Sequence, residues 1–381
     1  MKAIPTWKQR KLDKLAYFSK GSGYSKKDLI PYGYPIILYG RLYTKYETVI
    51  QNVDTYVNKK EKSIISNGNE VIVPASGESA EDISRASVVA NSGMILGGDL
   101  NIITLKEKIE PVFLALTISN GKQKKELRKR AQGKSVVHLH NSDLKEVNLI
   151  CPSKEEQKKI SELFRTLENS ITLHQEKLSK LQSLKKAALQ SLFPQKNEKE
   201  PKVRFANFKE IWKQYKLKDV IESELKGKAK AKDKTNDCKN VYLETNYLNG
   251  GEVSYVDVPN DVDEDDVLIL WDGSQAGTVY HGYKGALGST LKAYKPKESG
   301  EFMFQYLKKN QQKIYDNYRT PNIPHVVKTF TEDFRIKSTS IIEQRKISSF
   351  FKQLDSTINF YQDKLEKLQL LKKAFLQKMF I

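Results

Sequence analysis

Cysteine is nearly absent: Cys151 and Cys238 are the only two in 381 residues, far apart and outside any CxxC spacing. That excludes a disulfide framework and gives no support for a zinc site. It suits a reducing cytoplasm. No apolar run approaches the roughly 20 residues that a membrane helix needs. The opening Met1-Lys2-Ala3-Ile4-Pro5-Thr6-Trp7-Lys8 has no apolar signal core, so a soluble, cytoplasmic protein is expected. Acidic residues are also scarce, 46 against 65 Lys and Arg, leaving a formal charge of +19 that five histidines change little. Such an excess points to a polyanionic partner, nucleic acid or an acidic membrane surface. A solvated basic surface that aids solubility is the plainer reading, and charge alone does not separate the two.

Motifs that carry chemistry are missing as well. There is no GxxxxGK[ST] phosphate loop and no Asn/Asp-Pro-Pro-aromatic methyltransferase motif, and Gly21-Ser22-Gly23 lacks a GxxG continuation. The acidic run Asp261, Asp263, Glu264, Asp265 and Asp266 reads as a solvated turn before a strand rather than a metal site. Ser76, Ser274 and the histidines form no Ser/His/Asp grouping visible in sequence.

What the chain does have is enough to bury and a repeat. With 39% apolar, 29% charged and 10% aromatic residues, it is globular in composition and long enough for two domains with connectors. Residues 153–193 and 340–380 align without a gap at an offset of 187, with 22 of 41 positions identical. The likeness continues upstream more weakly. Trp7 to Leu12 matches Trp212 to Leu217 at an offset of 205, Glu70 to Val73 matches Asp266 to Ile269 at 196, and Leu96 to Leu100 matches Leu287 to Leu291 at 191. An offset that falls in one direction means the second copy lost loop residues while keeping element order. Between the copies, Pro194-Gln195-Lys196-Asn197-Glu198-Lys199-Glu200-Pro201 reads as a linker.

In the first repeat segment Ile160, Phe164, Leu167, Ile171, Leu178 and Leu181 follow spacings of four and three, with His174, Lys185, Ala188 and Leu192 completing the series. Ile347, Phe351, Leu354, Ile358, Leu365 and Leu368 follow the same series in the second, completed by Tyr361, Lys372, Phe375 and Met379. Sustained over several heptads without Gly or Pro, this is a coiled-coil seam. At 1.5 Å per residue each helix is a rod of roughly 57 Å. An antiparallel pairing within one chain is the economical arrangement, with the globular domains at opposite ends; parallel pairing between two molecules is the alternative. Lys185 and Lys372 hold matching seam positions, where a polar residue fixes register at some cost or merely snorkels its stem.

The globular segments carry strand-like runs at Pro35–Tyr39, Glu70–Val73, Asn101–Leu105, Val241–Leu243 and Val267–Leu270, and helical patches at Pro111–Leu116 and Phe302–Leu307. The fold class expected is α+β: two globular domains separated by two long helices in an antiparallel intramolecular coiled coil, a pseudo-two-fold repeat.

The order of a Trp-x-x-x-x-Leu opening, a Gly-punctuated strand domain, a Glu-Gln-Lys/Arg-Lys-Ile helix start and a Leu-Lys-Lys-Ala-x-Leu-Gln-x-x-Phe close resembles the specificity subunits of type I restriction–modification systems. Here these are Glu156 to Ile160 with Leu184 to Phe193, and Glu343 to Ile347 with Leu371 to Phe380. The resemblance implies target-recognition domains at 1–152 and 209–339, repeat helices at 153–193 and 340–381, and a linker at 194–208. It also implies a non-catalytic chain whose two domains read the halves of a bipartite double-stranded DNA target. The helices would serve as ruler and as dock for two adenine-methylating modification subunits, with a restriction and translocation subunit as a further partner. No cofactor is expected on this chain; S-adenosylmethionine, ATP and Mg²⁺ would enter through those partners. One departure is the start of the second helix, Thr339-Ser340-Ile341-Ile342, where the first copy has Cys151-Pro152-Ser153-Lys154. Another is the segment Arg204-Phe205-Ala206-Asn207-Phe208, which has no counterpart before Trp7.

The densest basic run precedes Ser135, and carrying the offset of 187 upstream lays Gln132-Gly133-Lys134-Ser135 on Arg319-Thr320-Pro321-Asn322 and His138 on His325. Different donors and acceptors at equivalent places are what two different half-sites require. The DNA contacts expected are therefore Lys124, Lys125, Arg128, Arg130, Gln132 and Lys134, then Arg319, Asn322 and His325, with the cations mainly on phosphate. A polar helix end, with the two histidines in core packing, is the plain structural alternative. Two other functions fit the same residues: a coiled-coil adaptor carrying two protein-binding domains, and a general single-strand nucleic-acid binder using its aromatics.

Overall fold

In a computed structural model, described here for residues 7–106, 108–133, 136–235, 237 and 239–380, the runs rich in Val, Ile and Leu become the central strands. The Gly- and Pro-free repeat segments become helices Lys154–Ser191 and Ile341–Met379. The chain divides into two compact units, Met1–Gln175 with Lys364–Ile381, and Glu176–Asp363. Each unit thus holds one globular domain, the first part of one long helix and the last part of the other.

In the first unit, the described residues form a sheet ordered Ala16–Lys20, Leu100–Leu105, Glu70–Pro74, Ser87–Val89, Val49–Ile50. A second sheet runs Leu29–Ile30, Tyr56–Val57, Tyr34–Ile37, Ser92–Leu96, Ile65–Asn67. Every residue of Glu70–Pro74 is buried, as befits a strand with neighbours on both edges; its one charged group, the Glu70 carboxylate, accepts from Asn67 N and Gly68 N. Helix Pro111–Ser119, with Pro at its first turn and the Glu110 carboxylate accepting from Phe113 N, packs its apolar length into the core.

The second unit repeats this plan with fewer strands: Ile221–Lys226, Leu291–Pro296, Val267–Leu270, Val279–His281 in one sheet, and Tyr255–Val256, Asn240–Leu243, Ala286–Leu287 in another. Helix Gly300–Lys309 takes the place of Pro111–Ser119 and is capped by Ser299. Even the ladder registers repeat. Lys8 faces Cys151 and Lys213 faces Ser338; Pro74 faces Leu100 and Leu270 faces Leu291. These pairs map onto one another at the offsets read from the sequence.

The long helices pair antiparallel in each unit. In the first, the Phe164 ring lies 6.0 Å from Phe380, and Lys372 Nζ donates to Glu168 at 2.7 Å. In the second, Phe193 stacks on Phe351 at 5.9 Å, and Lys185 pairs with Asp355 at 2.6 Å. Position numbers rise along one helix as they fall along the other. The seam is not uniform. Ile160, Phe164, Leu167, Ile347, Phe351, Leu354 and Ile358 are buried because each helix's first turns are also covered by a globular core. Ile171, Leu178, Leu181, Leu365 and Leu368 are only half-buried, as a two-helix ribbon leaves its flanks open.

The two departures noted in sequence have structural counterparts. Ser153 Oγ accepts from Glu156 N at 3.2 Å and caps the first long helix, whereas the Ser340 hydroxyl, at the start of the second, has no hydrogen-bond partner among the described residues. In the first copy Trp7 Nε1 donates to Glu156 at 3.2 Å. In the second, Arg204 takes the equivalent Glu343 with Nε and Nη2, both at 2.7 Å, and Trp212 Nε1 has no partner among the described residues.

Candidate DNA interface

The basic run of the first domain is helical. Lys124, Lys125, Arg128 and Arg130 lie on helix Gly121–Arg130, immediately after the buried helix Pro111–Ser119. Their charge is partly offset. Lys124 ion-pairs with Glu81, Arg128 reaches the same carboxylate at 3.0 Å, and Arg130 pairs with Glu126 at 2.9 Å. The hydrogen bond from Lys124, with Arg128 and Arg85 adding to it against the cost of burial, holds the Glu81 carboxyl below its usual range. Lys124, Lys125 and Arg128 also line a cavity of about 770 Å³ with Lys372 and Lys373 of the second long helix. This face of the helix looks toward the helix pair.

After that helix comes a short hairpin. Gln132 N donates to His138 O at 3.1 Å and His138 N to Gln132 O at 2.7 Å. Strand Val137–His138 pairs with Ser76–Gly77, and Ser76 Oγ lies 3.1 Å from His138 Nδ1. Gln132 and His138 are exposed, while Lys134 falls outside the described residues.

The second domain places its loop on the same support. Asp272 faces His325 as Ser76 faces His138, while Arg319, the counterpart of Gln132, bridges to Val326, one residue beyond the counterpart of His138. Asn322 is exposed at the tip. His325 Nδ1 sits 3.0 Å from both Thr320 Oγ1 and the carbonyl of Ile323, so this ring braces its own loop. Arg319 donates from Nε to Tyr315 O at 3.0 Å and from Nη1 to Ser274 O at 3.3 Å, with its guanidinium 4.7 Å from the Tyr315 ring centre. The structure therefore gathers Arg319, Asn322 and His325 in one loop and Gln132 and His138 in its counterpart. The four described cations of the first domain stand on a neighbouring helix. Sequence had no signal for Glu81, which lies more than 40 residues before Lys124 and Arg128, the cations it partners.

The acidic run serves the backbone. Asp261 Oδ1 accepts from Leu287 N at 2.8 Å, Asp265 accepts from Gly300 N at 3.2 Å, and Asp266 Oδ2 accepts from Asp263 N at 2.9 Å. Among the described residues, no cluster of three His, Cys, Asp or Glu is placed to hold a metal ion, and no helix is long and apolar enough to cross a membrane.

The chain matches the family described as the type I restriction modification DNA specificity domain over residues 5–183 and again over 209–370, and it belongs to that family. It is similar to the type I restriction enzyme MjaVIII specificity subunit of Methanocaldococcus jannaschii, 31% identical over 191 residues. That match covers 46% of this chain and 45% of the relative, so it spans less than half of either protein. A putative type I restriction enzyme MjaX specificity subunit of the same organism is 24% identical over 318 residues, 78% of this chain and 74% of the relative. Among solved structures, a type I restriction–modification S subunit from M. genitalium superposes with a TM-score of 0.70 at 18% identity, covering 100% of this chain and 98% of that one. A chain from work on complex assembly and conformational transition of the type I R-M system superposes with a TM-score of 0.51 at 15% identity, covering 100% and 99%. At those identities the superpositions speak for the fold alone.

Proposed function

We propose that this chain selects the DNA sequence on which a type I restriction–modification enzyme acts, and that it performs no catalysis itself. The domain at 1–152 reads one half of a bipartite duplex target and the domain at 209–339 the other. The helices at 153–193 and 340–381 set the distance between the halves. The observation that carries this reading is a contrast within one chain: the repeat keeps its ladder registers and helix ion pairs, while the loops on equivalent supports present different polar groups. One scaffold with two sets of donors and acceptors suits two different base sequences.

The helices also present matching apolar positions to solvent. Leu173 and Leu371 are exposed in the first unit, and their equivalents Phe360 and Leu184 in the second. Two equivalent patches suit two copies of one modification subunit. S-adenosylmethionine, ATP and Mg²⁺ then belong to the partner subunits, and the assembly works in the cytoplasm. The test is to combine the chain with its neighbouring methyltransferase and map methylated adenines on genomic DNA. A bipartite motif that vanishes without this chain is expected. Methylation at an uninterrupted motif, or methylation indifferent to the chain, would refute the proposal.

A further inference from the structure

The basic run at 122–134 is partly neutralised by carboxylates, but a second run in the other domain is not. Strand Ile221–Lys226 continues into Gly227-Lys228-Ala229-Lys230-Ala231-Lys232. This continuation is pinned to the turn beside it: Gly227 N donates to Leu291 O at 3.0 Å, Ala229 N to Leu287 O at 3.1 Å, and Ser289 N to Ala229 O at 2.9 Å. A Cβ on Gly227 would stand 2.0 Å from the Gly288 carbonyl oxygen, so the close approach admits only glycine. Gly227 and Ala229 are buried, and the alternation of an extended chain therefore turns Lys226, Lys228 and Lys230 to solvent. Lys232 is exposed on the short helical turn Ala231–Asp233, which Asp233 fixes by accepting from Lys230 N at 2.8 Å.

The neighbouring Lys234 and Lys292 are held by Glu244 and Glu224, but none of these four lysines forms an ion pair among the described residues. Alternate residues of an extended chain lie about 6.6 Å apart. The phosphates of one DNA strand advance about 3.4 Å each along the helix axis. One lysine step thus equals about two phosphate steps along the axis, so a row of flexible ammonium groups can reach every second phosphate of a strand. Between its lysines the row itself holds only Gly227, Ala229 and Ala231, so it supplies none of the large apolar side chains on which the core of a protein interface is built. The first domain makes the same turn on Gly21, where a Cβ would lie 1.9 Å from Gly97 O, but continues as Ser22-Gly23-Tyr24-Ser25 without the alternating lysines.

We infer that Lys226, Lys228, Lys230 and Lys232 form a track that grips the phosphate backbone of duplex DNA against the second domain. This rests on the proposed reading of the chain as a DNA specificity subunit. The row orients the duplex and leaves base selection to the loops.

The experiment measures the salt dependence of duplex binding by the full chain assembled with its methyltransferase, comparing wild type with Lys228→Gln/Lys230→Gln/Lys232→Gln and with the same three positions as Arg. Each lost phosphate contact lowers the slope of log K against log salt by about 0.9. The glutamine triple variant is thus expected to lose close to 3 in slope, to weaken on all sequences alike, and to keep its methylated motif; the arginine variant retains the slope. DNA binding with an unchanged slope in the glutamine variant would overturn the track and leave the specificity reading standing. Reduced assembly with the methyltransferase at unchanged slope would assign the row to a protein contact, again overturning it. If the wild-type assembly bound no duplex at all, the specificity reading would fall and the track with it.

Discussion

Lys372 donates to Glu168 at 2.7 Å, and the repeat makes the same bond again as Lys185 to Asp355 at 2.6 Å. Each carboxylate also takes a hydrogen bond from its own globular domain. Thr48 Oγ1 donates to Glu168 at 2.6 Å and Gln305 Nε2 to Asp355 at 3.1 Å. A seam lysine that would cost stability alone is thus matched to a carboxylate that ties both helices to the domain beside them. The pair fixes helix register and domain attachment together.

Replacing Glu168 with Ala strands a mostly buried ammonium and a hydroxyl donor, and is expected to destabilise the chain by about 1–3 kcal/mol in urea unfolding. Exchanging the charges, Glu168→Lys with Lys372→Glu, should recover part of that loss. A harmless single substitution would show that the pair does not hold the register.

Phe380 packs against Phe113 and Phe164 at 6.0 Å from each, and Phe193 against Phe302, Tyr306 and Phe351 at 5.4 to 5.9 Å. Both rings are buried, and truncation to Ala at either is expected to cost about 3–5 kcal/mol. Equal losses at the two positions would fit their matching places in the repeat. A loss below about 1 kcal/mol at either would mean that the last turn of that helix is not part of the core.

Much of this was legible because the repeat is written in positions that bury. The seam at Phe164 and Phe351 and the strands at Val71 and Val267 follow from periodicity and offset, which left the antiparallel pairing as the more economical of two arrangements. The short strands Leu29–Ile30, Val49–Ile50 and Tyr56–Val57 did not, since two residues cannot display a period of two. Nor could sequence pair Glu81 with Lys124 or Arg204 with Glu343, because ion pairing depends on which surfaces the fold brings together. The row at Lys226 to Lys232 stands in the sequence as a simple alternation, but only the fold shows which cations carry carboxylate partners.

Cys151 is buried, and burial pushes its thiol up to about 11, against a small opposing effect of Arg10. In a Cys238→Ser background the native chain is expected to react with a disulfide reagent at pH 8 only as fast as it unfolds, and fully in urea. Rapid labelling of the native protein would contradict the burial.

Lys309 Nζ donates to the carbonyls of Phe193 at 3.1 Å and Pro194 at 2.9 Å. Burial, with Lys337 close by, pushes this amine down from 10.5 to about 8. Between pH 8 and 10.5 the unfolded chain holds a proton that the folded chain has released, so the contribution of this group to stability rises with pH across that window. Wild type should therefore gain on a Lys309→Met variant between pH 7.5 and 9.5 in paired urea titrations. A gap that stays constant, or moves in favour of the variant, would place the amine elsewhere.

The central claim is that each domain reads its own half of the target, and exchanging one domain tests it most directly. Residues 209–339 are replaced by the matching segment of a relative with a different known target, the hybrid is assembled with the methyltransferase, and methylated adenines are mapped. The account predicts a motif in which one half is new, the other half is unchanged, and the spacing between them is kept. A motif changed in both halves, or in neither, would contradict it.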